Sequence, residues 1–83
     1  MNILYFAWLR ERIGTGEETV SPPADVSTVG QLIDWLSQRS AKHAAAFAER
    51  KLIRAAVDQV HQAHDANVRG AVEVAFFPPV TGG

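Results

Sequence analysis

Eighty-three residues make one domain with a modest core, since a chain this short buries only about 60% of its unfolded surface. Eight Lys and Arg against nine Asp and Glu leave a net charge of −1, so no basic stripe is available for nucleic acid or an anionic membrane. The absence of cysteine removes disulfides, thiolate catalysis and Cys-based zinc sites, and no apolar run nears the roughly 20 residues of a bilayer span.

The N-terminal MNILYFAWLRER places its basic residues after its apolar stretch, the wrong order for a secretory signal. A cytoplasmic protein is expected. Residues 2–8, NILYFAW, are apolar at nearly every position, which predicts a central strand covered on both faces. LRERIGTG then predicts one or two helical turns closed by a glycine cap. EETVS predicts a short second strand, and Pro22 and Pro23 stop it, because proline has no N–H for a ladder.

The strongest local signal is STVGQLIDWLSQRS. Thr28 with Gln31 three residues later has the spacing of a capping box. Val29, Leu32, Ile33 and Leu36 follow at i, i+3, i+4 and i+7, one apolar stripe bordered by Trp35, which predicts a helix lying across a sheet. AKHAAAFAERK predicts a weaker second helix with Ala44, Phe47 and Ala48 inward and His43 facing solvent. In LIRAAVDQ, Ile53, Ala55 and Val57 alternate with Leu52, Arg54 and Ala56, the period of a strand. VHQAHDANVRG is polar and broken, fitting a turn and a short edge strand. AVEVAFF predicts the last strand, with Val72, Val74 and Phe76 on one face and Glu73, Ala75 and Phe77 on the other. Pro78 and Pro79 end it.

This order predicts an α+β fold, a β-grasp with a mixed sheet of four to five strands and one main helix packed on it. The domain spans 1–83, with 78–83 an extended flexible tail. The first and last strands are the most apolar and are expected to be adjacent, central and parallel.

Candidate catalytic groups are few. His61 and His64 stand three apart beside Asp65, but no further ligand completes a metal set, and no metal site is expected. GTGEE lacks the Lys-Ser/Thr of a phosphate-binding loop, and Glu11, Glu17 and Glu18 with Arg10 and Arg12 suit a solvated surface. No complete active site is visible, so enzyme status stays open. The tail FFPPVTGG is different. Two prolines stiffen its start, Val80 and Thr81 favour an extended chain, and the six residues from Pro78 to Gly83 reach about 20 Å at ~3.3–3.6 Å each. Gly82 and Gly83 have no Cβ, so a narrow tunnel would admit them together with Thr81 and present the Gly83 carboxylate to a buried site. Phe76, Phe77, Pro78, Pro79 and Val80 would then dock on the partner, aromatic residues being common interface anchors.

FFPPVTGG, the opening ILYFAWLRERIGTGEE and the helix segment TVGQLIDWL together resemble the small subunits of molybdopterin synthase, ubiquitin-like sulfur carriers of molybdenum cofactor biosynthesis. The resemblance covers essentially the whole chain. It departs in two turns, where the family often has Gly-Asp-Glu in place of Ala71, Val72 and Glu73, and Val-Asn-Gln in place of Val57, Asp58 and Gln59. The resemblance implies that a ubiquitin-activating-type adenylyltransferase uses ATP to adenylate Gly83, and that a sulfur donor converts it to a thiocarboxylate. It also implies that the tail enters the large synthase subunit, in an assembly of two carriers and two large subunits, and gives its sulfur to a cyclic pterin precursor to form the dithiolene. No cofactor would be bound permanently. Three alternatives keep the same fold: a sulfur carrier of another pathway such as thiamine thiazole formation, a ubiquitin-like protein modifier, and a β-grasp interaction module with an idle tail.

Overall fold

The computed structural model describes residues 1–79. Its elements run β1 (Asn2–Tyr5), α1 (Trp8–Ile13), β2 (Glu17–Thr19), α2 (Val29–Ser37), α3 (Ala41–Ala46), a 3-10 turn (Arg50–Leu52), β3 (Arg54–Val57), β4 (Val60–Gln62) and β5 (Glu73–Phe77). The five strands form one mixed sheet in the order β2-β1-β5-β3-β4. β1 and β5 are parallel, with Ile3 opposite Val74 and Tyr5 opposite Phe76. The other pairs are antiparallel. The first and last strands are thus neighbours inside the sheet, with β5 at its centre, as their apolar character requires.

All the helices pack on one face. Ile3, Tyr5, Ala55, Val74 and Phe76 from the strands share a single buried cluster with Leu9 and Ile13 of α1, Val29, Leu32, Ile33 and Leu36 of α2, and Ala46 and Phe47 at the end of α3. The α2 stripe is entirely inaccessible to solvent, and each such side chain contributes roughly 1.5–3 kcal/mol on burial. Gln31 N–H donates to Thr28 Oγ1 at 3.1 Å and Thr28 N–H to Gln31 Oε1 at 3.2 Å, closing the capping box. Two further N-terminal donors of α2 are taken up by the polar loop after β4: Val29 N–H by the Ala66 carbonyl at 3.0 Å, and Gly30 N–H by the His64 carbonyl at 2.8 Å. A segment with no apolar period of its own therefore caps the main helix.

Three local expectations are corrected. The first strand ends at Tyr5, and Trp8 opens α1, because Ala7 adopts φ 55°, ψ −134° and turns the chain out of the sheet. Arg12 then lies over the Trp8 ring, 4.5 Å from its centroid. In the second helix Ala46 and Phe47 point inward, while Ala44 and Ala48 are exposed; the helix stops at Ala46, so its inner face is set by one short turn. His43 does not face solvent, since its side chain is only 12% exposed and bonds Glu18.

Candidate functional site

With the helices gathered on one side, the other face of the sheet is open among the described residues. Strand register defines it. Leu4 lies opposite Ala75, Ala75 opposite Ala56, and Ala56 opposite His61, while Phe77 lies opposite Arg54. The next residue along each strand points into the core, because side chains alternate. Ala55, Val74 and Phe76 are accordingly 2% exposed or less. On the open side the two alanines leave a shallow apolar floor, flanked by half-buried Leu4 and Phe77. The His61 ring tilts against Phe77 with centroids 5.1 Å apart. Phe6, just beyond β1, is 48% exposed, and its N–H donates to the Phe76 carbonyl at 3.0 Å.

The central strand β5 ends at this face. Pro78 and Pro79 are half-buried and belong to no strand, so the chain leaves the sheet beside Phe77 and Phe6. Val80, Thr81, Gly82 and Gly83, the residues expected to thread and react, lie outside the described residues. Phe76 is corrected: it is fully buried, with its ring 5.2 Å edge-on to Phe47 and 6.3 Å from Tyr5. It has no surface to offer a partner, and the strand's outward aromatic is Phe77. The composition of AVEVAFF displays both rings, but the register decides which one points out. Leu4, Phe6, Ala56 and Ala75 are not singled out by the sequence, and His61 is weighed there only as a metal ligand, because only strand pairing brings them onto one face.

Behind β1 sits a half-buried polar network. Glu18 Oε2 accepts from the Tyr5 hydroxyl at 2.8 Å and from His43 Nε2 at 2.7 Å, and Arg39 Nε lies 3.2 Å from Oε1. Burial alone would raise the Glu18 carboxyl, but the hydrogen bonds from His43 and Tyr5, with the charges of His43 and Arg39, outweigh it and hold the group below the usual glutamate value. Burial, reinforced by the bond to Glu18, pushes the Tyr5 phenol well up, so it stays neutral. Ser40 Oγ is 2.7 Å from His43 Nδ1 and also accepts the His43 backbone N–H at 3.1 Å as the cap of α3. This is a brace tying β1, β2 and α3 together; its serine is committed to the helix cap. His64 Nε2 lies 2.8 Å from the Ile53 carbonyl while His61 lies on the open face. Among the described residues no group of three His, Asp or Glu side chains is placed to hold a metal ion, and no helix is long and apolar enough to cross a membrane.

The family model named ThiS matches residues 3–83. The chain belongs to the ThiS family. Within that family its relatives include the molybdopterin synthase sulfur carrier subunit of Escherichia coli, 41% identical over 83 residues that cover 100% of this chain and 99% of the relative. The corresponding subunit of Haemophilus influenzae is 36% identical with the same coverage. Among solved structures, SAMP1, a small archaeal modifier protein from Haloferax volcanii, superimposes with a TM-score of 0.73 at 27% identity, covering 100% of this chain and 98% of that one. The ThiS-family fold is the β-grasp expected from the element order.

Proposed function

We propose that this protein is the sulfur-carrying small subunit of a molybdopterin synthase, and that its reactive group is the carboxylate of Gly83. What supports the reading most is that the family match runs to Gly83 and that full-length relatives at 41% and 36% identity are sulfur carrier subunits. A free carboxylate is a poor electrophile because it has no competent leaving group. In the proposed sequence a ubiquitin-activating-type adenylyltransferase transfers AMP from ATP to Gly83 and releases pyrophosphate. A sulfide-level nucleophile from a separate donor then attacks the acyl carbon, AMP leaves, and a thiocarboxylate remains. In the large synthase subunit that sulfur attacks an electrophilic carbon of a cyclic pterin precursor, the carbon–oxygen bond there breaks, and the oxygen departs with its electron pair as water or phosphate. Water then cleaves the resulting thioester, returning the Gly83 carboxylate and leaving the sulfur on the pterin. One carrier delivers one sulfur, so a dithiolene needs two deliveries, in an assembly of two carriers and two large subunits.

The domain's own part is recognition. Phe77, Pro78, Pro79 and Val80 dock, Thr81 and Gly82 thread, and the catalytic bases and ATP site belong to partners. We place these steps in the cytoplasm, where ATP is available. A second reading, a modifier joined to lysines, is favoured by the likeness to the archaeal modifier; it shares the adenylation step and differs in its product. The test is the intact mass of protein purified from its own host. Exchange of one oxygen for one sulfur, localised to the last residue, is expected, and deletion of Gly83 should abolish it while leaving the fold intact. Full activity from a protein with an uncleaved C-terminal tag would refute the reading, and conjugates in cell extract would favour the modifier.

A further inference from the structure

The open face of the sheet carries charges of both signs, with Glu17 at its β2 edge opposite Leu4. Toward the β3–β4 turn lie Asp58 and Glu73, where Asp58 accepts the Val72 and Glu73 backbone N–H groups, each at 2.9 Å. Toward the exit of the tail lie Arg54 and His61. Arg54 is exposed and in register with Phe77, and its Nη1 donates to the Lys51 carbonyl at 3.0 Å. Among the described residues the ion pairs are Arg39–Glu18, His43–Glu18 and Arg50–Asp34, so Arg54 has no carboxylate partner there. His61, one strand further out on β4, is exposed and rests its ring against Phe77. The outward aromatic beside the start of the tail is thus bordered by a guanidinium and by an imidazole ring.

Any protein surface that covers Phe77 must also cover these two neighbours. Removing an unpaired guanidinium from water is costly unless an acceptor replaces the lost solvent. An apolar patch alone is therefore a poor match, whereas a patch carrying Asp or Glu beside an apolar pocket matches all three side chains. We propose that Arg54, His61 and Phe77 form one docking element that reads a carboxylate on the protein receiving the tail; resting on the carrier role proposed above, that protein is the large synthase subunit. Arg54 supplies the constant attraction. His61 adds a ring N–H that donates to the same acceptor. Besides Arg54, the charged groups on this face are Glu17 on β2, opposite Leu4, Asp58 at the turn and Glu73 on β5.

The test measures the affinity of the full-length chain for the large subunit, for wild type, Arg54→Ala and His61→Leu, with circular dichroism verifying each fold. Raising salt from about 50 to about 300 mM screens exposed charges and should weaken wild type about tenfold and Arg54→Ala about threefold or less. His61→Leu, which removes one hydrogen-bond donor, should weaken binding about threefold at fixed pH and salt. Equal salt responses of wild type and Arg54→Ala overturn the proposal. So does tighter binding by His61→Leu than by wild type, which would mean an apolar surface opposite His61. Binding that neither substitution alters defeats this docking element alone. Absence of any binding, together with an intact mass lacking the sulfur exchange, defeats the carrier role and this element with it.

Discussion

Phe76 and Phe77 are adjacent in sequence and face opposite ways, so truncating each in turn separates stability from docking. Phe76 is fully buried and its ring meets both Phe47 and Tyr5. Phe76→Ala removes that ring and leaves a cavity among side chains fixed by two strands and a helix, a change that typically costs ~3–5 kcal/mol. The whole domain, at ~0.05–0.15 kcal/mol per residue, is stable by about 4–12 kcal/mol, so the variant forfeits a large share of it. At about 4–8 °C per kcal/mol for a domain of this size, its Tm should fall by at least about 12 °C. Phe77 is half-buried and rests on His61. Phe77→Ala should cost under about 1 kcal/mol of stability, the scale of a cross-strand pair. If Phe77 anchors the partner, the same change should cost ~2 kcal/mol of binding, about 30-fold in Kd. The assay pairs calorimetric melting of the free chain with titration against the large subunit. A near-native Tm for Phe76→Ala, or equal Tm losses for the two variants, would refute the assignment of faces.

The lowered Glu18 carboxyl ties stability to pH: its contribution is fully present above the ordinary glutamate pKa of ~4.3 and is lost as pH falls through the folded value. Glu18→Gln should lower stability at neutral pH by about 1–2 kcal/mol and flatten the acid limb of a Tm-against-pH profile; an unchanged acid limb would mean other groups carry it. Ala7 at φ 55° and Gln59 at φ 71° hold backbone conformations that cost an L-residue about 1 kcal/mol or more, so Ala7→Gly and Gln59→Gly should each raise the urea midpoint with an unchanged slope. Gly82→Val should leave melting nearly unchanged and reduce sulfur transfer by orders of magnitude, as single-turnover product formation would report; an active variant would mean that the tail passes through no narrow channel.

The elements that were legible in the sequence are those whose signal is local. Val29, Leu32, Ile33 and Leu36 repeat at the helical period and the Thr28–Gln31 cap fixes where the helix begins, so α2 follows from short-range chemistry alone. Gly14, at φ 94°, ends α1 because glycine enters that region without a Cβ penalty. The apolar character of β1 and β5 likewise demands neighbours on both sides and so announces their central pairing. Ala7 carries no such signal. Alanine favours ordinary backbone, and the turn that sends Trp8 into a helix is held by Phe6 bonding the Phe76 carbonyl and by Leu9 and Ile13 seated in the core. The Glu18 brace is equally silent, since its members come from residues 5, 18, 39 and 43 and meet only after two strands and a helix are packed. The open face is the clearest case. Alternation along a strand divides its residues into two sets but leaves undetermined which set is covered. In this chain the placement of every helix on one side decides it: that choice buries Phe76 and leaves Phe77, His61 and Arg54 together beside the start of the tail.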